Sequence, residues 1–255
     1  MPGTDPVAAG RSPSGGLSAD PSPAPAEPAA PPPPPPAASP RLLDQLLEEA
    51  RAAGFLGPGP LGIQFRHAEG FVVVCRRLWP DGAAPPVLLD LGSGGGLPGL
   101  VVATSWPEAS LVLLESNGRR TAFLREAVRR LGLEHRVSVH HDRAEFAGRD
   151  PEFRGRVDGV LARSFGRPAV VAECGAPLLK PGGWLIVSEP PRDIPGGPGD
   201  APGRSRWPAE PLRQLGLEPE DLVRVEFDYQ TLRQAEACPD RFPRRDGVPA
   251  KRPLF

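Results

Sequence analysis

Val87-Leu-Leu-Asp90-Leu-Gly92-Ser-Gly94-Gly-Gly96-Leu97-Pro98-Gly99 reads as a strand, a glycine-rich turn and a helix start. Backbone amides at such a turn approach an anionic or polar ligand closely, and the helix N-terminus adds positive potential. Two ligand classes fit this shape. Gly94, Gly96 and Gly99 match the dinucleotide spacing GxGxxG, a weak signal alone. Asp90 favours the other class. A carboxylate at the strand end repels a pyrophosphate and attracts the methionyl ammonium of S-adenosylmethionine, directly or through water. Pro98 stiffens the helix start rather than leaving it open around phosphates. Glu115 ends the next apolar run, where an acid accepts both ribose hydroxyls in either cofactor class. Asp142-Arg143-Ala144-Glu145 follows the third run, at a place suited to an adenine edge.

Outward from this loop, short apolar runs alternate with helical stretches. The runs are 87–91, 110–115, 137–140, 157–162 and 184–188, with helices expected over 97–105, 119–131 and 168–179. Strands of this kind, alternating with helices, imply a parallel sheet covered on both faces. Lys180-Pro181-Gly182-Gly183 reads as a turn feeding the fifth strand. A strand over 222–229 with a partner near 230–237 completes the expected fold. That fold is α/β and Rossmann-like, with a mostly parallel seven-stranded sheet.

Upstream, a helix is expected over 64–79, with Phe65, Ala68, Val72 and Cys75 at helical spacing. Before it, Ser39 caps a helix with Pro40 in its first turn, an apolar face of Leu42, Leu43, Leu46, Leu47 and Ala50, and a stop at Gly54. Residues 1–40 are proline-rich, including the run Pro31 to Pro36, and hold few large apolar side chains. They are expected to be a disordered tail, with a polyproline ligand as the sharper alternative. The organisation is thus a tail over 1–40, a helical extension over 41–80 and a cofactor-binding domain over 81–255.

Composition narrows the function classes. A net charge of −1 over 255 residues gives no whole-surface attraction to nucleic acid, so local clusters must supply it. Among 30 basic residues only Lys180 and Lys251 are lysine, so single arginines carry little weight. Cys75, Cys174 and Cys238 lie far apart, without zinc-ligand or redox spacing, and suit a cytoplasmic protein with reduced thiols. No apolar run approaches the roughly 20 residues that span a bilayer, and no signal-peptide pattern opens the chain. His140 and His141 are adjacent on a strand and point to opposite faces, so no shared metal is expected.

Asp90-Leu-Gly-Ser-Gly-Gly-Gly-Leu-Pro-Gly99 resembles the signature loop of the RsmG/GidB family. Glu115-Ser-Asn-Gly-Arg-Arg-Thr-Ala-Phe-Leu124 resembles that family's acid-Ser-x-x-Lys-Arg-x-x-Phe-Leu segment, and Ala162-Arg163-Ser-Phe165 its Ser-Arg-Ala-Phe. The stretch from Phe242 to Leu254 is similar to its basic C-terminal tail. The resemblance implies transfer of a methyl group from S-adenosylmethionine to the position-7 nitrogen of a guanine in small-subunit ribosomal RNA. It also implies cofactor contacts at Gly92, Leu97, Ala144, Glu145 and Arg163. The chain departs from the family in three places. It lacks a Trp-Asn-Lys element before residue 60, and Arg66-His67 with Glu69-Gly70 only partly matches Arg-His-x-x-Asp-Ser. Ser188-Glu189-Pro190-Pro191 stands where the family has Leu-Lys-Gly.

The position-7 nitrogen carries an in-plane lone pair and needs alignment rather than a general base, so no catalytic base is assigned. His67 and Arg163 are candidate RNA contacts. In the tail, Arg244, Arg245, Lys251 and Arg252 suit a phosphate backbone, and Phe242 and Phe255 an unstacked base. Glu189 is a candidate partner for a substrate hydrogen-bond donor. A monomer acting on ribosomal RNA or the small subunit is the leading expectation. A methyltransferase for a small metabolite and a non-catalytic cofactor-binding module are the alternatives, separated by a methyl-acceptor assay.

Overall fold

A computed structural model describes residues 40–80, 82–191 and 205–255. The proline-rich tail, the Ser39 cap and most of the loop over 190–206 lie outside the described residues. The described chain runs α1 (Pro40–Ala52), α2 (Leu61–Leu78), β1 (Val87–Leu91), α3 (Gly99–Ser105), β2 (Ser110–Glu115), α4 (Gly118–Arg130), β3 (Val137–His141) and α5 (Ala144–Ala147). It continues with β4 (Val157–Ala162), α6 (Pro168–Gly175), a 3-10 turn (Ala176–Leu178), β5 (Leu179–Ser188), α7 (Ala209–Arg213), β6 (Leu217–Arg224), β7 (Asp228–Gln234) and α8 (Val248–Lys251).

Seven strands form one sheet in the order β3-β2-β1-β4-β5-β7-β6. β1 to β5 are parallel, and β7 runs antiparallel to both β5 and β6. The order reverses between β1 and β4, which opens a crevice at the carboxyl ends of those strands. Two apolar layers cover the sheet. One gathers Leu43, Leu46 and Leu47 of α1, Phe71 and Cys75 of α2, and Leu100 of α3. The other gathers Val171 and Cys174 of α6, Leu212 of α7 and, from the C-terminal stretch, Phe242. The helices before β1 therefore share a core with the sheet.

Several elements differ from their sequence-based boundaries. α2 starts at Leu61 and buries Gln64, Ala68, Phe71 and Cys75, whereas Phe65 and Val72 are only partly buried. A glutamine thus lies on the inward stripe, and Phe71 rather than Val72 continues it. Residues 180–183 are a bulge rather than a free turn. Val157 pairs with Leu179 and Gly159 with Trp184, so the residues between loop outward through Gly182 at φ 85°. The terminal hairpin is shifted toward the N-terminus. β6 begins after Gly216 (φ 74°) and turns at 225–227, inside the expected strand 222–229. Tyr229 fixes this register by pairing with Ser188 on one side and Val223 on the other.

Tyr229 is fully buried, and its hydroxyl donates to the His67 carbonyl at 2.6 Å. Gly70 in α2 makes room for it, because a Cβ there would lie 2.0 Å from the phenolic oxygen. Gly70→Ala should gain about 1 kcal/mol from helix propensity but force the ring aside. We expect a net loss of about 1–3 kcal/mol from over-packing. A urea melt reads the sign, and a stabilised variant would contradict this packing.

Candidate functional site

The glycine loop is shaped by backbone amides that turn inward. Gly92 and Ser93 donate to the Leu114 carbonyl at 2.9 and 3.0 Å, which ties the loop to the end of β2. Gly92, Gly94 and Gly96 have φ of 75°, 56° and 98°, a region that disfavours side chains. A Cβ on Gly92 would lie 2.6 Å from the Phe165 ring, so the aromatic covers the loop directly. Gly95 has a different reason to be small: a Cβ there would meet Leu56 and Ala50 beside α1.

The Glu115 carboxylate accepts from Gly94 N at 2.9 Å and from Asn117 N at 2.8 Å. It therefore braces the loop and the start of α4, and its remaining lone pairs are what it has for a ligand. Asp90 is 1% exposed. Its Oδ2 accepts from Gly99 N at 3.0 Å, at the N-terminus of α3. Its Oδ1 is buried without a partner among the described residues. Burial pushes the carboxyl up to about 7, opposed by the Gly99 hydrogen bond, then by the Ser93 hydroxyl and the nearby charge of Arg163. Leu97 is also turned inward, with its side chain in the core beside Leu100 and Val101.

Arg163 follows β4 and is partly buried. Burial lowers its pKa, and the Asp90 carboxylate counteracts this. Its Nη2 reaches Gln64 Oε1 at 3.4 Å, while its Nε is buried without a partner among the described residues. Gln64 is fixed in turn by donating to Gly57 O and Gly59 O at 3.0 and 3.3 Å. The sequence reading missed Gln64; its signal is a polar residue on the buried stripe of α2. Ser164 is the one non-glycine among the described residues with positive φ, at 56°. A strained residue between Arg163 and Phe165 fixes how both side chains leave the strand.

Phe165 stands between two cavities. On one side a pocket of about 200 Å³ is lined by Gly92, Ser116, Asp142, Ala144, Glu145 and Ala250. On the other a pocket of about 330 Å³ includes His67, Ser164, Glu189, Pro190 and Trp207. It shares His67 and 189–191 with a wider cleft of about 770 Å³ that also takes in Arg163 and Phe227. His67 stacks on Phe227, with ring centroids 4.4 Å apart and planes 14° from parallel. Burial and the Arg163 charge lower its pKa to about 4, so the ring is neutral at pH 7, and its Nε2 is buried without a partner among the described residues.

The match to known proteins decides the family. Residues 71–189 match the family described as rRNA small subunit methyltransferase G, GidB. The chain is 39% identical over 201 residues to the ribosomal RNA small subunit methyltransferase G of Prochlorococcus marinus (strain MIT 9313), covering 71% of this chain and 75% of that protein. The chain belongs to the GidB family. A second member, from Roseiflexus castenholzii, is 36% identical over 186 residues and is covered over 75% of its length. Among solved structures, the fold is similar to an O-methyltransferase from Bacillus cereus in complex with SAH. That TM-score is 0.54 at 15% identity, over 76% of this chain and 90% of that one. Cofactor-bound Rv0187 from MTB gives 0.53 at 17% identity, over 78% and 91%. At these identities the two structures speak for the fold alone, a class I methyltransferase sheet.

Against the GidB pattern, the C-terminal tail needs correction. Arg244 is not presented to a phosphate. It holds Glu173 of α6, which has no exposed surface, because a buried carboxylate requires a cation. Phe242 is not an open stacking face either: it is 4% exposed and packs into the second core layer, with Arg241 over its ring. Phe255 packs against the same layer. Arg245, Lys251 and Arg252 remain on the surface. Glu189, a candidate partner for a substrate donor, does not offer a free carboxylate to the cleft. Its two oxygens accept from Trp207 Nε1 at 2.6 Å and from Arg206 Nη1. Burial raises its pKa, opposed by those two donors. Trp207 carried no local signal because it lies 18 residues along the chain from its partner.

His140 and His141 diverge as expected: one meets the Phe153 edge, the other the Ser116 carbonyl at 3.0 Å. The three cysteines are free and buried, and burial raises each thiol. Among the described residues no helix is long and apolar enough to cross a membrane.

Proposed function

We propose that this GidB-family protein transfers a methyl group from S-adenosylmethionine to the position-7 nitrogen of a guanine in small-subunit ribosomal RNA, acting as a monomer in the cytoplasm. The supporting observation is an unpartnered buried Asp90 oxygen in the field of Arg163, a residue that lines a cleft large enough for a nucleotide. An ammonium donor suits that orphan oxygen, since buried acceptors are normally satisfied. Gly92, Gly94 and Gly96, the Leu97 backbone, Glu115, Ala144 and Glu145 would hold the remainder of the cofactor. When bound, S-adenosylmethionine supplies an electrophilic methyl group on a sulfonium.

The chain's own residues position and exclude. Phe165, which follows the strained Ser164, lines both the glycine-loop pocket and the neighbouring pocket that shares His67 with the cleft. A guanine nitrogen with its own lone pair requires no proton removal before attack, so a neutral His67 and a tied Glu189 are compatible with the chemistry, and the reaction itself calls for no metal. Alignment supplies several kcal/mol of the barrier. His67 and Arg163 would contact the base, and Arg245, Lys251 and Arg252 the phosphates. Three free thiols suit a reducing compartment.

The test is labelled methyl transfer to purified small subunits, with borohydride–aniline cleavage to report position-7 modification. Arg163→Ala should lower transfer about 100-fold, the cost of misplaced reactants, while the urea midpoint reports folding. Label entering metabolites but not ribosomal RNA would overturn the substrate assignment.

A further inference from the structure

The glycine-loop pocket has a wall contributed by the far end of the chain. Ala250 of α8 lines it together with Gly92, Ser116 and Glu145. The segment that carries Ala250 is fastened at several points to the elements flanking the pocket. Gly247 N donates to Glu145 Oε1 at 3.0 Å. Arg143 pairs with Asp246 at 2.5 Å. Arg244 gives Glu173 three hydrogen bonds: backbone N at 2.9 Å and Nε at 2.8 Å to Oε1, and Nη2 at 2.6 Å to Oε2. The same Nη2 reaches the Arg252 carbonyl at 2.7 Å, which closes the segment on itself. Just upstream, Arg149 and Arg154 donate to the Pro243 and Phe242 carbonyls at 2.6 and 2.8 Å.

Nearly all of these partners come from the stretch 143–154 or from α6, the same part of the chain that supplies the pocket floor. A surface arm for RNA has no need of a buried anchor. A pocket wall does, because a wall that frays leaves the pocket open to water. We propose that the C-terminal segment 242–252 is a wall of the cofactor pocket, held in place by Arg244 and Gly247 and presenting Ala250 to the bound ligand. Arg244 is then a positioning residue for the cofactor. The inference rests on the reading of this pocket as the S-adenosylmethionine site. By linkage, a ligand that needs the docked segment also stabilises it.

The test uses the full chain and S-adenosylhomocysteine. Ala250→Trp puts a large ring at the rim of a pocket of about 200 Å³. Calorimetry should show at least a tenfold loss of affinity with an unchanged melting temperature. Native affinity in Ala250→Trp would overturn the proposal. Hydrogen exchange on the unmodified protein gives a second reading: amides of 247–251 should slow when the ligand is added, and unchanged exchange would also overturn it. A native protein that does not bind S-adenosylhomocysteine fails the cofactor reading instead, before any variant is made.

Discussion

Arg244→Ala should destabilise the protein by about 3–5 kcal/mol, the cost of stranding one partner of a buried ion pair. Glu173 has no solvent exposure, and the variant removes both of its side-chain donors while leaving only the residue-244 amide. The hydrogen bonds to Glu173 also raise the Arg244 pKa, so the pair is charge-assisted from both sides. A control separates the ion pair from the packing. Glu173→Met combined with Arg244→Met removes both charges and keeps apolar volume, and such replacements are often neutral or stabilising. The double variant should therefore recover most of the loss. Arg245→Ala and Arg252→Ala, on exposed side chains, should stay within about 0.5 kcal/mol. Urea midpoints at constant slope measure all four. If Arg244→Ala falls within the surface range, the buried pair is not what anchors the tail.

The sheet was legible in the sequence because its signals are local. Five parallel strands announce themselves as apolar runs, and Asp90 to Gly99 marks the crossover where the ligand crevice opens. The hairpin was displaced because β6 is an edge strand with weak alternation, Leu217 to Arg224, whose register depends on Tyr229 meeting Ser188 and Gly70 across the fold. No local pattern carries that information. The candidate site divides in the same way. Gly92, Asp90, Glu115 and Arg163 stand at strand ends around one crevice, as their spacing implied. Gln64 and Trp207 complete it from remote segments, and only the packed structure shows that they converge. The tail illustrates the opposite failure at one residue: Arg244 looked like its neighbouring surface arginines because sequence gives charge but not depth. Glu173, in the middle of an apolar helix, was the clue that one of them had to come inside.

Affinity for S-adenosylhomocysteine should rise about tenfold per pH unit between pH 5 and 7 and level off above, as the Asp90 carboxyl ionises near 7. In the ligand-free protein burial keeps this carboxyl protonated well above its ordinary 3.8. Its contribution to stability is therefore full below about 4 and is lost as pH rises through about 7. A ligand ammonium reverses the preference, because it favours the ionised form of the carboxylate it meets. Binding at pH 6 should then release a proton, seen as a heat that changes with the ionisation enthalpy of the buffer. His67, held near 4, stays neutral through most of this window and adds nothing to the slope above pH 5. Asp90→Asn keeps an acceptor for Gly99 N but has no charge to gain. It should bind weakly with a flat profile, and its affinity at pH 5 should approach that of the native protein. A native profile that is equally flat would mean that the orphan Oδ1 meets a neutral donor, and the preference for a cationic amino-acid ligand at this turn would lose its physical basis.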